Sequence, residues 1–336
     1  MKAPGKVQLT FYLLGFAGAA LFTGLLIREG APQVGAALSK AGWAIILVIA
    51  YHLFVPVFLD VIAWWVLIPK SDRLPIGRLF WMRWIGESVS TLVPSAAVGG
   101  DIVRARLAAI NGVPLPIAAG SVLVDITLGV FTQAGFTVLG LVLLVEATGQ
   151  KSFVRPTLLG TLIGVVAVAG FYFVQRLGMF RFLGLIIARL VNSPEWQSLV
   201  QSGETLDRTV RALYARRRGV VLCCLWTMLS LVGGSAEIWI ALHALGLPAT
   251  VVNALILQSM ALTIRNAAFA VPAGLGVQEG GYLFIGNLLG IPGDAAFALS
   301  LISRVRELAL GIPGIITWQV IEGRRVLRAR SVAAAE

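Results

Sequence analysis

Apolar residues run in long blocks along this chain, and polar residues gather in the short segments between them. Six blocks are long enough to cross a bilayer as helices: about 8–28, 41–68, 115–145, 156–175, 219–246 and 293–321. A span needs about 20 mostly apolar residues in succession. Two further apolar stretches, about 76–112 and 249–290, are interrupted by proline and glycine near their middles. Each is too broken for one span, and each half is short for a span of its own. The pattern predicts helical hairpins that enter and leave by the same face. Non-helical backbone at membrane depth is tolerated only where protein buries it or it lines a cavity.

The interruptions repeat. Residues 93–114 read VPSAAVGGDIVRARLAAINGVP and residues 271–292 read VPAGLGVQEGGYLFIGNLLGIP, aligned without a gap at an offset of 178. Pro94 meets Pro272, Asp101 meets Glu279, Gly112 meets Gly290 and Pro114 meets Pro292. The same offset carries 41–68 onto 219–246 and 115–145 onto 293–323. The chain therefore divides into a first span and loop (1–40), repeat unit one (41–145), a fourth span with cytoplasmic amphipathic helices (146–218), repeat unit two (219–323) and a basic cytoplasmic tail (324–336). Each unit is span, hairpin, span. The second span runs inward and the fifth outward, so the units have opposite topology. Inverted repeats whose discontinuous helices meet near the midplane are a transporter design. The expected fold class is an all-α integral membrane protein with six transmembrane helices, two broken re-entrant hairpins and an inverted-topology repeat.

Composition agrees with the pattern. The chain is 58% hydrophobic and 13% charged, with a mean hydropathy of +0.88. A soluble domain carries roughly 25% charged residues. The net charge of +11 reads as an orientation signal, not as nucleic-acid binding. Eighteen basic residues, Arg83 among them, fall on one side of the predicted spans, and only Arg28, Lys40, Lys151 and Arg155 on the other. Both termini are expected in the cytoplasm. Lys2 and Lys6 before the run from Val7 to Ile27 also fit a signal peptide with Ala17-Gly18-Ala19 at its end. The length of the run, and its closure by Arg28 and Glu29, favour a retained span.

Between Arg176 and Arg218, apolar residues recur at helical spacing with arginines between them: Leu183, Ile187 and Leu190, then Leu206, Val210, Leu213 and Tyr214. This reads as amphipathic helices that lie on the membrane surface or pack on the bundle. Trp43, Trp64, Trp65, Trp81, Trp84 and Trp318 sit near predicted span ends, where tryptophan serves as an interfacial anchor. His52 and His243 are isolated in sequence, and packing is the plainer role for each. Cys223 and Cys224 are adjacent, with neither disulfide geometry nor metal spacing. The sequence has no Walker loop, no HExxH, no G-x-S-x-G and no triad spacing. No catalytic residue, metal site or cofactor is expected, and ATP-driven pumping by this chain alone is disfavoured.

Ionisable groups at membrane depth are costly, so each is a functional candidate. The candidates that bind substrate are Glu87, Asp101, Arg104, Arg265, Glu279 and Arg304. Pro94, Gly99 and Gly100 shape the first motif, and Pro272, Gly274 and Gly276 the second. In both, glycines precede an acid at an expected helix start. Each acid then caps its own helix, or the helix N-termini act with the arginines to hold a phosphate-like headgroup. For Arg104 and Arg106 the plain alternative is a place in the cytoplasmic headgroup layer. Asp60, Glu237 and Glu279 are candidates for carrying protons.

The stretches GESVSTLVPSAAVGGDIVRARLAAINGVP, RNAAFAVPAGLGVQEGGYLFIGNLLGIP and SLISRVRELALGIPGIITWQ resemble the lysylphosphatidylglycerol synthase transmembrane-region family, also called flippase-like. Within it, the chain is most similar to the hopanoid-biosynthesis-associated membrane proteins of bacteria. The resemblance spans nearly the whole chain. It implies an integral inner-membrane protein that moves or handles lipid-linked molecules. Its partner would be a membrane lipid with an anionic headgroup, or a hopanoid, and biosynthetic enzymes of the same pathway are further partners. In the best-known members the membrane region is joined to a cytoplasmic aminoacyl transferase domain. Only 15 residues follow the last predicted span, so synthase activity is not expected here. The expected function is lipid translocation. The alternative is a membrane-embedded lipid-modifying enzyme, or a non-transporting accessory factor of hopanoid or glycolipid synthesis.

Overall fold

A computed structural model describes residues 31–93, 98–149, 154–177, 195–248, 250–268, 271 and 274–333. The regular elements among them are helical. In chain order they are α1 (Ala31–Ala41), α2 (Ala44–Phe54), α3 (Pro56–Leu67), α4 (Ile76–Leu92), α5 (Val98–Ile110), α6 (Leu115–Thr148), α7 (Val154–Leu177), α8 (Glu195–Ala215), α9 (Arg217–Ala244), α10 (Val251–Ala267), α11 (Val277–Leu288) and α12 (Gly293–Ala333). Four stretches are long and apolar enough to cross a membrane: 44–67, 115–148, 154–177 and 217–244. They coincide with four of the six sequence blocks. The block at 8–28 lies outside the described residues. The block at 293–321 forms part of α12, whose middle carries Arg304, Arg306 and Glu307. The same helix continues through the basic stretch to Ala333.

Proline and glycine set the breaks. Pro56 has no N–H to give, so the span at 44–67 is jointed where α2 ends and α3 begins. Val55 still donates to Tyr51 O at 2.8 Å, and Leu59 to Val55 O at 2.9 Å, which holds the joint together. At the end of α5, Gly112 takes φ +102 and Val113 N–H reaches back to Ala108 O at 3.1 Å. At the end of α11, Gly290 takes φ +73 and Ile291 N–H reaches back to Gly286 O at 2.8 Å. Both are left-handed glycine stops with a five-residue return bond. The two sets of residues are related by the offset of 178. In each case a proline follows and the next helix starts one residue later.

Each broken stretch forms two helices packed on each other, α4 on α5 and α10 on α11. The first pair crosses at Gly86 and Gly100. A Cβ on Gly86 would stand 2.9 Å from Gly100 O. In the second pair, Ile264 occupies the place of Gly86, and a Cβ on Gly281 would stand 3.4 Å from its side chain. The halves meet where Gly311 and Gly314 of α12 face Leu92 and Ser88 of α4. They meet again along α3 and α9, where Ser230 Oγ donates to Pro56 O at 3.1 Å.

One apolar core lies in each half. Val61, Trp64, Leu79, Ile85, Val103 and Leu107 fill the first. Ile238, Leu242, Leu257, Ile285 and Leu299 fill the second, joined by Val48, Leu141 and Leu144 from the first half. Trp64, expected as an interfacial anchor, is instead fully buried, with Nε1 donating to Ser121 Oγ at 3.0 Å. A third cluster resolves the amphipathic alternative for the end of α8. Val210, Leu213 and Tyr214 pack against Ala63, Leu67, Val124 and Leu128 of the bundle. Tyr214 Oη donates to Gln175 Oε1 at 2.9 Å, and Gln175 Nε2 donates to Thr127 Oγ1 at 3.1 Å. By contrast, the apolar side chains of α7 lie on the outer surface, as a helix against lipid requires.

Candidate functional site

The charged residues at the centre of the bundle form two joined networks. In the first, Asp125 on α6 accepts from Arg104 Nη1 at 2.6 Å and from Arg83 Nη1 at 3.0 Å. Arg83 also donates to Asp60 on α3 at 2.9 Å, and Arg104 Nε to Asp101 at 2.9 Å. The Cys223 thiol approaches the other oxygen of Asp125 at 3.7 Å. The Arg104 guanidinium lies 5.2 Å above the Trp64 ring. Arg104 is thus buried and paired inside the bundle. Arg83, read from sequence as an orientation signal, bridges two acids inside the bundle.

The second network lies on α9 to α12. Arg304 Nε donates to Glu279 Oε1 at 2.8 Å, and its Nη1 donates to Glu307 at 3.0 Å. Arg304 Nη2 donates to Gly274 O at 3.1 Å, which ties the loop before α11 to α12. Arg265 donates to the other Glu307 oxygen at 2.6 Å. Arg306 donates to Glu237 on α9. Breaking such pairs one partner at a time strands a buried charge, which costs more than the pair itself contributes.

His52 joins the two networks. Its Nε2 lies 3.0 Å from Glu87 Oε1 and its Nδ1 lies 2.8 Å from Glu237 Oε1. In sequence it is an isolated histidine. Its partners lie 35 and 185 residues away, so no local signal reveals it. His243 Nδ1 meets Trp239 O, one turn earlier, and its ring lies against the Trp239 ring.

A cavity of about 410 Å³ opens beside the first network. Asp60, Arg83, Glu87, Asp101, Arg104 and Asp125 contribute to its wall, and Thr227 of α9 and Asn266 of α10 complete it from the second half. A smaller cavity of about 60 Å³ adjoins His52, Glu87, Arg265, Arg306 and Glu307. Glu87 lines both cavities.

The expected site residues are therefore brought together in two groups. Glu87, Asp101 and Arg104 share the larger cavity, while Arg265, Glu279 and Arg304 share the Glu307 network. Gly99 and Gly100 lie in the first turn of α5, Gly276 precedes α11, and Pro94 and Pro272 lie outside the described residues. Asp60, Arg83, Asp125, Glu237, Arg306 and Glu307 complete the networks. Their signal in the sequence was charge inside an apolar block, without a repeat partner to single them out. Among the described residues, no group of three His, Cys, Asp or Glu side chains is placed to hold a metal ion.

The family described as the lysylphosphatidylglycerol synthase TM region matches residues 12–314. The chain belongs to this family. No curated protein matches it. Family membership and the apolar helices together make this a multi-pass membrane protein. Like others of the lysylphosphatidylglycerol synthase TM-region family, it is related to lipid metabolism or transport. In that setting a polar cavity walled by paired charges is the candidate functional feature, since ionisable groups inside a membrane domain are costly.

Proposed function

We propose that this protein translocates a lipid headgroup between leaflets through the cavity of about 410 Å³, while the acyl or polycyclic tail stays in the bilayer. The observation that carries the reading is the wall of that cavity. Six ionisable side chains of the first half face it, and Thr227 and Asn266 of the second half close it. A headgroup there meets hydrogen-bond donors and acceptors that replace its water. The matching glycine stops at Gly112 and Gly290, and the matching order of helices, support an internal repeat. We read it as inverted across the membrane, in the transporter manner. The basic bias supports a reading with both termini on the cytoplasmic side, and the sequence resemblance supports a bacterial inner membrane. Hopanoids enter as a lipid class through the sequence resemblance.

The test is lipid translocation in liposomes that contain fluorescent-headgroup lipids, with an impermeant quencher outside. Anionic, zwitterionic and hopanoid-like lipids are compared, each with and without an imposed pH gradient. Wild type should expose more than the outer-leaflet half to quenching. Glu87→Gln and Asp101→Asn, checked for unchanged melting, should lose that excess. Quenching equal to that of empty vesicles for every lipid and gradient overturns the proposal. Lipid binding without any leaflet change points to the accessory role instead.

A further inference from the structure

His52 Nδ1 has two neighbours that make incompatible demands on it. Glu237 Oε1 lies 2.8 Å away and Arg306 Nη1 lies 2.6 Å away. A carboxylate accepts, so contact with Glu237 needs a proton on Nδ1. Arginine only donates, so contact with Arg306 needs the Nδ1 lone pair free. One ring nitrogen therefore sits between two arrangements that differ by the position of a proton. The opposite nitrogen, Nε2, lies 3.0 Å from Glu87. Glu87 in turn lines the larger cavity.

The surroundings give that proton a path. The cavity of about 60 Å³ touches His52, Glu87, Arg306 and Glu307. Trp84 lines it too, and its buried Nε1 has no hydrogen-bond partner among the described residues. A polar space of this size with an unmet donor on its wall is suited to hold water. Beyond Arg306 lies a further cavity of about 50 Å³ lined by Gln278, Tyr282 and Ser303. Gln278 Oε1 there is buried without a partner. Two small cavities suited to water thus flank the His52 group, one against Trp84 and one against Gln278.

We propose that His52, with Glu87 and Glu237, forms a proton site that couples movement through the lipid cavity to a transmembrane proton gradient. The inference rests on the translocation reading above and adds its energy source. In the step, a proton on the Glu87 carboxyl passes to His52 Nε2 as the Nδ1 proton passes to Glu237. The ring is neutral before and after, and Glu87 ends as a carboxylate facing the cavity. Protonated Glu237 then holds Arg306 less strongly, and Arg306 donates to the freed Nδ1 lone pair. The charged groups that surround the ring are Glu87 from α4, Glu237 from α9 and Arg306 from α12, with Arg265 of α10 and Glu307 of α12 across the small cavity. Exchange of a proton at Glu87 changes the charge of the wall that meets the headgroup. That is the link between the two movements.

The experiment has two readouts on the full chain. The first is the steady-state leaflet ratio of a transported fluorescent lipid in liposomes, with and without a gradient of one pH unit. One proton per lipid allows a shift of up to about tenfold. Wild type should shift. In His52→Gln the ratio should be the same with and without the gradient, whatever the absolute rate. A wild-type protein that moves lipid with no response to the gradient overturns the coupling and leaves the translocation reading intact.

The second readout needs no lipid movement. The chain has two histidines, so ¹⁵N-imidazole spectra in nanodiscs can be assigned with His52→Gln. His52 should change its protonation state or tautomer between about pH 5 and 10. Glu87→Gln and Glu237→Gln should each shift that change by about one pH unit or more, while the His243 signals stay as in wild type. A His52 ring held in one state throughout overturns the proton site. A coupled titration without lipid movement upholds the proton site and removes the translocation reading instead.

Discussion

Asp125 accepts from Arg104 at 2.6 Å, and the bond ties α5 to α6. At the repeat offset the corresponding residues are Tyr282 and Ser303, whose hydroxyls stand 3.4 Å apart. The same crossing is held by an ion pair in one half and by two neutral hydroxyls in the other. The two aligned positions share a contact and differ in its chemistry. The charged half is the one that faces the larger cavity.

The difference predicts unequal costs. Asp125→Asn leaves the guanidiniums of Arg83 and Arg104 short of a carboxylate, in a place where Arg104 is 2% exposed. Loss of one partner of a buried pair costs about 3–5 kcal/mol. Tyr282→Phe removes one long neutral bond, worth about 0.5–1.5 kcal/mol. Thermal or denaturant unfolding in detergent should separate them clearly. Equal losses would mean that Asp125 does not serve as the anchor described.

The crossing of α4 and α5 depends on its two glycines. Gly86→Ala puts a Cβ 2.9 Å from Gly100 O, and Gly100→Ala drives one into Gly86 O. Both atoms met are backbone and cannot move aside. Each variant should lose about 1–3 kcal/mol or more, with Gly100→Ala the worse. Gly129→Ala, which also lines the cavity, meets nothing within 4 Å. It lies inside α6, where alanine favours helix by up to about 1 kcal/mol over glycine. Its melting point should hold or rise.

Docking of α8 on the bundle is tested at Tyr214. Its hydroxyl satisfies Gln175, which is fully buried. Tyr214→Phe leaves the Gln175 oxygen without a partner, at about 1–3 kcal/mol. Hydrogen exchange over residues 205–215 should rise with it. A helix held only by the membrane surface would show no such change.

Glu307 serves both Arg265 and Arg304. Effects within one network are not additive. A double-mutant cycle of Arg265→Ala and Glu307→Gln should therefore show a coupling energy of about 0.5–3 kcal/mol. Additive losses would separate the two residues energetically despite their 2.6 Å contact.

Much of the architecture was legible before any coordinates. The apolar blocks match four spanning stretches to within a few residues. The offset placed α5, α11 and the starts of α6 and α12, because a glycine stop followed by proline is a local signal. The second hairpin helix, α10, begins three residues earlier than the offset from α4 requires, since its start is set by Thr250, whose hydroxyl caps Asn253 N–H at 3.1 Å. The equivalent residue in the first half, Asp72, ends a short 3-10 turn instead, and Pro75, which has no N–H to be capped, stands where Asn253 does. The site was legible only as a set of charges in apolar sequence. Glu87, Asp101, Arg104, Arg265, Glu279 and Arg304 all proved to be joined in networks, but their partners were not marked.

The sequence by itself determined the membrane class, the helical blocks, the repeated breaks and the family. All of these rest on periodicity, composition and turn chemistry, which act over a few residues. Only the tertiary structure decided that Arg83 pairs inside the bundle, that Trp64 is core and that His52 bridges Glu87 and Glu237. A side chain's charge partner depends on which helices cross and at what height. That is fixed by packing between residues far apart in the chain, at glycines such as Gly86 and Gly100 where two backbones come within reach of each other.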